Sequence, residues 1–307
     1  MKVYFAPLEG ITTYTYRNAH AANFSGVDTY FAPFIVPTEN ERISMKTLKD
    51  ILPENNDVKV IPQVLCSSGE AFCELAKKVK ALGYDEVNIN LGCPSGTVVK
   101  KKRGSGALRD TEFLDKLLDY IFSHADIKIS LKTRTGFYSH EEFYELINIY
   151  NKYPATELIV HPRVREELYS GVPNMDSFDY AYKNSVHKLC YNGDVVTAED
   201  FNKICERYPD LNSVMIGRGA IQNPAIFREI RSGDKIKTEE FLEFSHILEE
   251  RYLDVLGCEH YTVHRLKEIW LYIMKNFPDE KKVTKALKKS NTLNDINSAI
   301  NRLSMPI

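Results

Sequence analysis

One cysteine of this chain stands where a reactive group would be displayed. The run Asn88-Ile89-Asn90-Leu91-Gly92-Cys93-Pro94-Ser95 joins an apolar, strand-like segment to a glycine, a cysteine and a proline. Proline fixes the backbone after the thiol, and glycine allows a close backbone approach. Because a structural cysteine would more simply lie within the apolar run, we expect Cys93 to do chemistry. The motif leaves open whether the thiol is a nucleophile, a proton donor or inert.

The segment before Cys93 is one of a series of strand-like runs at intervals of about thirty residues, the size of a βα unit. The pattern predicts strands near Val3–Pro7, Asp28–Ala32, Lys59–Val64, Glu86–Asn90, Lys128–Lys132, Glu157–His161, His187–Tyr191 and Ser213–Gly217. One-faced apolar spacing predicts helices at Glu70–Leu82, Thr111–Ser123, Glu141–Tyr150 and Ala198–Tyr208. Strands alternating with helices favour a (β/α)8 TIM barrel over residues 1–233.

An open, doubly wound sheet is the competing fold. It would carry a G-x-G-x-x-G turn after the first strand, where this chain has Pro7-Leu8-Glu9-Gly10. Beyond residue 233 the strand patterns stop, and helices are predicted at Thr238–Leu256, Tyr261–Asn276, Lys281–Lys289 and Leu293–Leu303. We therefore expect a small all-helical domain over residues 234–307.

Seven predicted strands each end in residues that include at least one polar side chain, at the carboxyl ends where a TIM barrel builds its site. In chain order they are Pro7, Leu8 and Glu9; Gln63; Asn90 and Cys93; Lys132 and Arg134; His161 and Arg163; Asn192, Gly193 and Asp194; and Gly217 and Arg218. A single polar strand end is usually structural, but seven together predict one binding site.

The types of these residues favour an anionic, planar ligand. The glycine loops after strands seven and eight match the usual barrel phosphate site. Lys132 and His161 would supply positive charge or hydrogen bonds to a heteroaromatic ring. The amides of Gln63 and Asn90 both donate and accept, as the edge of a flavin ring requires. The residues therefore predict FMN.

Composition excludes several other classes of protein. The formal net charge of −2 gives no general attraction to nucleic acid, so a basic surface must be local. The six cysteines form no C-x-x-C pair, so we expect no disulfide framework and no metal site. No apolar run has the length of a membrane span, and Met1–Pro7 has no signal-peptide pattern. We expect a cytoplasmic protein without a membrane partner.

These motifs, taken in order, resemble those of the tRNA-dihydrouridine synthases. The resemblance rests on Ala6–Thr12, Asn90–Ser95, Lys101–Leu108, Lys132–Gly136, His161-Pro162-Arg163, Asn192-Gly193-Asp194 and Gly217–Pro224. The chain departs from the family's pattern at Leu8, where methionine is usual. It departs again at Glu268, where histidine is common.

The resemblance implies reduction of a tRNA uridine to 5,6-dihydrouridine, with FMN reduced by NADPH or NADH. Hydride would go from the flavin to C6 of the uracil, and Cys93 would give a proton to C5. The cofactor would lie against the strand-end residues of strands one, three and five to eight. Asn90, Arg134 and Arg163 are assigned to the substrate, and Lys267 lies near the family's basic position in the helical domain.

Binding of tRNA requires basic residues at the mouth of the site, because a base must leave its stack to meet the flavin. Lys100, Lys101, Lys102 and Arg103 directly follow the Cys93 turn, so we expect them to contact RNA. From Gly257 onward there are nine Lys or Arg residues and five Asp or Glu residues. The lysines of Lys281–Lys289 are a second candidate surface, although a solvated helix face explains them equally well.

Two rival functions remain at this stage. A dihydroorotate dehydrogenase is also an FMN barrel, with a similar Asn-x-Ser-Cys-Pro turn, but it needs neither the basic run nor the helical domain. The other rival is a tRNA-binding scaffold without catalysis. We also expect the protein to be a monomer. Removal of the helical domain near Gly233 is predicted to weaken tRNA binding far more than NADPH oxidation.

Overall fold

The computed structural model describes residues 1–37, 44–277 and 279–303. The last four residues of the predicted helical domain therefore lie outside the described residues.

Parallel strands β1 to β8 form a closed barrel in chain order, with β8 pairing back to β1. They are β1 (Lys2–Phe5), β2 (Thr29–Ile35), β3 (Val60–Val64), β4 (Glu86–Leu91), β5 (Lys128–Gly136), β6 (Leu158–Val164), β7 (Leu189–Tyr191) and β8 (Ser213–Ile216). The predicted TIM barrel is thus confirmed.

Helices surround the barrel and continue beyond it. Those that accompany the strands are α1 (Tyr14–Asn23), α2 (Met45–Leu48), α3 (Gly69–Ala81), α4 (Gly96–Val99), α5 (Thr111–His124), α6 (Glu142–Tyr150), α7 (Met175–Asn184), α8 (Ala198–Arg207), α9 (Arg218–Gln222) and α10 (Ile226–Ser232). The C-terminal helices are α11 (Thr238–Leu256), α12 (Glu259–Ile273), α13 (Lys281–Lys289) and α14 (Leu293–Ile300). Short 3-10 turns lie at Lys49–Ile51, Pro53–Asn55, Gly104–Arg109 and Met274–Asn276.

Local sequence explains where the main helices begin and end. The Ser68 hydroxyl accepts the Ala71 N–H at 3.2 Å to cap α3, and the Asp110 carboxylate accepts the Phe113 N–H at 3.0 Å to cap α5. Thr197 and Asp200 form a reciprocal capping box at α8. Helix α11 stops at Gly257, whose φ of +62° suits glycine.

Strands β2, β5 and β6 run at least three residues further than the sequence predicts. β5 continues to Gly136 and β6 to Val164, where prediction ended them at Lys132 and His161. Arg134 pairs opposite His161 in the β5–β6 ladder, so Arg134 and Arg163 lie on strands rather than in loops. The side chains of both arginines are consequently buried, whereas charged residues in a loop would be expected to be exposed.

The C-terminal helices share one hydrophobic core with the barrel. The Phe244 ring of α11 packs edge-on against Tyr16 and Phe24 of the α1 segment, with ring centres 6.0 and 5.0 Å apart. Trp270 of α12 is 1% exposed and packs against Phe241. Because this interface is apolar and buried, the helices stabilise the barrel as well as extending it.

Neither a membrane span nor a metal cluster occurs in the described ranges. No helix there is both long and apolar enough to cross a bilayer. Nor do His, Cys, Asp and Glu residues gather there in groups of three that could hold a metal ion.

Candidate active site

The carboxyl ends of the strands surround a cavity of about 260 Å³. Most of the residues predicted from strand ends line it: Pro7, Leu8, Glu9, Gln63, Asn90, Cys93, Lys132, Arg134, His161, Asn192, Gly193, Asp194, Gly217 and Arg218. The barrel geometry has therefore brought together groups separated by about two hundred residues of sequence, as expected for this fold.

The Cys93 turn is fixed by hydrogen bonds to its backbone. The Asn90 Oδ1 accepts the N–H groups of Gly92 and Cys93 at 3.0 and 2.9 Å. The Ser105 hydroxyl and N–H both donate to the Cys93 carbonyl, at 2.9 and 3.1 Å. Gly104 packs directly behind Cys93 with φ of +55°, where a Cβ would overlap the Cys93 carbonyl. The half-buried thiol is thereby displayed in one orientation.

The surroundings of Cys93 keep its thiol protonated. Burial raises the pKa of Cys93 above its ordinary value, and the nearby Glu9 carboxylate acts in the same direction. The Ser95 backbone, Arg134 and Lys132 oppose this effect without overcoming it. A neutral thiol is suited to donate a proton and poorly suited to act as a nucleophile.

A chain of amides crosses the barrel interior from the Cys93 turn. Asn90 Nδ2 donates to Gln63 Oε1 at 2.7 Å, and Gln63 Nε2 donates to Asn88 Oδ1 at 2.8 Å. Asn88 Nδ2 then donates to the Ser130 hydroxyl at 3.0 Å. Each amide keeps one N–H beyond this chain, which leaves Gln63 and Asn90 able to donate into the cavity they line.

Lys132 is a cation in the cavity wall. Burial, and after it the charge of the neighbouring Arg134, lowers the pKa of Lys132 to about 8. No carboxylate forms an ion pair with Lys132 in the described part of the chain. An unpaired ammonium in a partly desolvated site favours an anionic ligand or a developing negative charge.

Arg134 is committed largely to the protein itself. It is 1% exposed, and it donates to the carbonyls of Gly92, Val164 and Leu168 at 2.8, 2.9 and 2.6 Å. Because the Gly92 carbonyl precedes the thiol, Arg134 also positions the Cys93 turn. The Tyr169 side chain also interacts with this guanidinium, with its ring centre 5.4 Å away, and Arg134 lines the cavity.

The predicted substrate contact of Arg163 needs correction. Arg163 is fully buried, and its Nε and Nη atoms donate to Ser170 O, Gly171 O, His161 Nε2 and both Asp194 oxygens. All five donors are thus used, and Arg163 does not line the cavity. Its function is to hold Asp194 and His161 in place.

This contact with Arg163 also determines the state of His161. An arginine only donates, so His161 Nε2 accepts at 3.1 Å and the ring proton lies on Nδ1. Burial, and then the charges of Arg134, Lys132, Arg163 and Arg218, hold the pKa of His161 well below its ordinary range. Of the two roles expected from the sequence, positive charge or hydrogen bonding, the structure supports hydrogen bonding by a neutral ring.

The loops after β7 and β8 form a further part of the cavity wall, next to β1 in the closed barrel. Asp194 accepts from Arg163 at 2.5 Å and from Arg218 at 2.5 Å, so two cations share one carboxylate and a net positive charge remains. Asn192 ties the strands together by donating to Met215 O at 2.8 Å. A Cβ on Gly193 would overlap the Tyr191 phenol, which explains the glycine there.

The residues predicted to bind RNA lie outside the cavity. Lys100 and Lys101 are exposed, whereas Lys102 pairs with Asp110 at 3.1 Å and Arg103 donates to the Ser67 hydroxyl at 3.3 Å. Lys267 donates to Ser290 O at 2.8 Å, which links α12 to the end of α13. RNA contact by these residues stays a prediction.

The lysines of α13 form the clearest exposed basic face. Val283 and Leu287 are buried, and the lysines at 281, 282, 285, 288 and 289 are exposed around them. Within the described ranges none of these lysines forms an ion pair with a carboxylate.

Sequence reasoning missed part of the cavity wall. Tyr272 of α12 lines the cavity, and so do Ile11, Pro33 and Phe34. Tyr169, which follows β6, also lines the cavity. Its ring lies 5.4 Å from the Arg134 guanidinium and 5.0 Å from that of Arg218, and it is 54% exposed. Tyr272 lies in the C-terminal helices and reaches the cavity only through tertiary packing. No spacing rule in the sequence links it to a strand end.

Comparison with known proteins agrees with this geometry. The family model described as Dihydrouridine synthase (Dus) matches residues 4–303. The tRNA-dihydrouridine synthase B of Pseudomonas putida is 27% identical over 267 residues, which cover 82% of this chain and 77% of the relative. The tRNA-dihydrouridine(16) synthase of Neisseria meningitidis serogroup A is 26% identical over 288 residues, with 89% and 86% covered. Among solved structures, morphinone reductase shares the fold, with a TM-score of 0.54 at 10% identity over 76% of this chain and 86% of that chain.

Proposed function

The chain belongs to the dihydrouridine synthase family, and from that premise we propose that it reduces a uridine of tRNA to 5,6-dihydrouridine with bound FMN and NAD(P)H. One observation carries the proposal. The neutral thiol of Cys93 and the unpaired ammonium of Lys132 face the same cavity at the end of the barrel. A proton donor and an anion-stabilising group are the two elements that reduction of a conjugated pyrimidine requires.

The phosphate of FMN fits the end of the cavity formed by the β7 and β8 loops. Arg163 and Arg218 together outweigh the single charge of Asp194, so this end is electropositive. The N–H groups of Arg218 and Gly219 begin α9 directly after Gly217, which lines the cavity, whereas the Ala220 N–H already donates to Gly217 O at 2.9 Å. Gly217 and Gly193 keep this region free of side chains, which suits a phosphate.

The flavin ring fits the remaining strand ends. Pro7 and Leu8 supply an apolar surface, while Gln63 supplies an amide and Lys132 an ammonium. The neutral His161 offers hydrogen bonds without placing a further positive charge beside Lys132. When bound, FMN would supply the hydride that goes to C6 of the uracil.

Cys93 then completes the reduction. Hydride at C6 leaves negative charge on the uracil, which a proton delivered to C5 neutralises. The raised pKa of Cys93 keeps the proton on sulfur until that moment. Lys132 and the guanidinium of Arg134, which both line the cavity, are placed to stabilise the charge before transfer.

Substrate RNA would approach from the side of the cavity bordered by the C-terminal helices. Tyr272 lines the cavity from α12, and the lysine face of α13 belongs to the same helical unit. A uracil must leave its stack to reach Cys93, so phosphate contacts on that unit would hold the flanking RNA. The exposed Lys100 and Lys101 support the same role beside the Cys93 turn.

Substitution of Cys93 tests the proposal. Cys93→Ala should bind FMN and accept hydride from NADPH or NADH, yet form dihydrouridine in tRNA about 10²- to 10⁴-fold more slowly. Cys205→Ser, in helix α8 outside the cavity, is the matched control and should react as the wild type does. Nucleoside mass spectrometry of unmodified tRNA transcripts measures the product.

The outcomes separate the rival functions. Near-normal dihydrouridine formation by Cys93→Ala would contradict the proton-donor role. Reduction of a free pyrimidine in preference to tRNA would favour a dihydroorotate dehydrogenase-like enzyme. A protein that cannot be reconstituted with FMN would favour a tRNA-binding scaffold without catalysis. The cytoplasmic location and the monomeric state stay predictions, and light scattering after size exclusion tests the second.

A further inference from the structure

Helix α12 borders the cavity with one face. Arg265, Tyr272 and Asn276 follow one another at intervals of seven and four residues, a spacing that aligns side chains along one side of a helix. Tyr272 lines the cavity itself. The residues on either side of it contact the barrel at two separate loops.

The contact at one end is made to the turn after β1. Arg265 Nη1 donates to the carbonyl of Gly10 and to Glu268 Oε2, the latter at 2.6 Å. Gly10 has φ of +74°, and a Cβ there would lie 3.2 Å from Arg265 Nη1. Glycine thus allows both the turn and the close approach of the guanidinium.

The contacted turn is a wall of the cavity. Leu8 and Glu9 line it immediately before Gly10. Thr12 closes the turn from within, since its hydroxyl accepts the Leu8 N–H at 2.8 Å. In the described part of the chain, the Gly10 carbonyl has no other hydrogen-bond donor than Arg265.

The contact at the other end is made to α9. Asn276 Nδ2 donates to Gln222 O at 2.9 Å, at the last residue of the helix that starts with Arg218. One face of α12 and its following turn is therefore attached to two parts of the cavity wall, the β1–α1 turn and α9.

We infer that Arg265 is a positioning residue of the active site: it holds the β1–α1 turn so that Leu8 and Glu9 face the bound cofactor. Through it, the C-terminal helical unit helps set the width of the cavity as well as offering basic residues to RNA. The inference rests on the proposed function in taking the cofactor to be a flavin, whereas the attachment of the turn does not depend on that identity.

Two measurements test this role. The variants are Arg265→Ala, Arg265→Lys as the conservative replacement, and His264→Ala as the control, because His264 is an exposed neighbour on the same helix. The first measurement is the dissociation constant of FMN together with the visible spectrum of the bound flavin. The second is hydrogen–deuterium exchange of the amides from Leu8 to Thr12 without added FMN.

We expect Arg265→Ala to bind FMN about tenfold more weakly, which corresponds to the loss of one charge-assisted hydrogen bond. Its flavin spectrum should shift and exchange in the turn should quicken, with Arg265→Lys between it and the wild type. His264→Ala should match the wild type in all three readouts.

Two results are decisive in different ways. Wild-type exchange rates in the turn of both Arg265 variants would overturn the inference, even if their thermal stability fell. A wild-type protein that does not bind FMN, but whose turn exchanges faster in Arg265→Ala, would contradict the proposed cofactor and keep the positioning role. If Arg265→Ala does not fold, Arg265→Lys still gives both measurements.

Discussion

The ammonium of Lys132 should make cofactor binding depend on pH in a defined way. Burial lowers the pKa of Lys132 to about 8, which places its titration in an accessible range. The other groups that face it do not change charge between pH 7 and 9. The pKa of His161 lies well below its ordinary range, that of Cys93 is raised, and arginines stay protonated.

The size of the effect follows from the pKa. With a pKa of about 8, roughly nine-tenths of Lys132 is charged at pH 7 and roughly one-tenth at pH 9. If FMN binds the charged form, its dissociation constant should rise about tenfold over that interval. The bound anion raises the pKa of Lys132 in the complex, so the weakening continues until that higher pKa is reached.

The stability of the protein without cofactor should change in the opposite direction. The folded-state pKa of Lys132 lies below the unfolded value of about 10.4, so the unfolded chain binds more protons between these two values. The contribution of Lys132 to the free energy of unfolding therefore increases as pH rises from about 8 to 10. An FMN affinity that falls while the Lys132 contribution to stability rises would show that the weaker binding comes from titration of Lys132. General unfolding would instead lower both.

The assay is flavin fluorescence quenching at constant ionic strength from pH 6 to 10, with wild type, Lys132→Met and Lys132→Arg. The methionine variant should bind weakly with little pH dependence, and the arginine variant should bind without a transition near pH 8. A wild-type dissociation constant that is flat between pH 7 and 9, or a transition that persists in Lys132→Met, would refute the reasoning.

Three further predictions use other parts of the structure. Gly219→Ala should destabilise the protein by about 1–3 kcal/mol in urea unfolding, because its Cβ would overlap the Val195 backbone; unchanged stability would contradict this packing. Asp194→Asn should weaken FMN binding although it removes a negative charge, since it frees Arg218 to move; tighter binding would show that bulk charge dominates. Lys285→Glu combined with Lys288→Glu should weaken tRNA binding and reduce its dependence on salt while flavin reduction continues, and filter binding at several salt concentrations measures this.

The barrel and most of the cavity wall were predictable from the sequence because both follow from local pattern. Strand periodicity determines which residues end each strand, and a closed parallel barrel places all of those ends at one rim. Cys93 and Lys132 are therefore found without tertiary information. Arg163 was misassigned to the substrate for the same reason, since pattern places a residue at a strand end without revealing that its donors are already used.

The contribution of the C-terminal helices was the least predictable part. The sequence treats residues beyond 233 as a separable RNA-binding domain. The structure instead packs Phe244 against α1 and brings Tyr272 to the cavity. These contacts join residues more than two hundred positions apart, which no periodicity encodes. Truncation near Gly233 would thus expose a core and remove a cavity wall, so it cannot isolate RNA binding, whereas charge reversal on α13 can.

The amide chain from Asn90 to Ser130 has a direction. Every side-chain amide in it donates toward Ser130 and accepts from the side of the cavity, so no member can be inverted alone without bringing two donors or two acceptors face to face. The Oδ1 of Asn90 therefore points to the backbone of Cys93 because Gln63 on β3 and Asn88 on β4 are oriented in the same sense. Replacement of Gln63 by glutamate would remove the donor in the middle, so that Asn88 would have to turn its Nδ2 toward the new carboxylate while Asn90 keeps its orientation. The orientation of the Cys93 turn thus depends on hydrogen bonds deep in the barrel. A substitution at one member of this amide chain therefore requires a change at another.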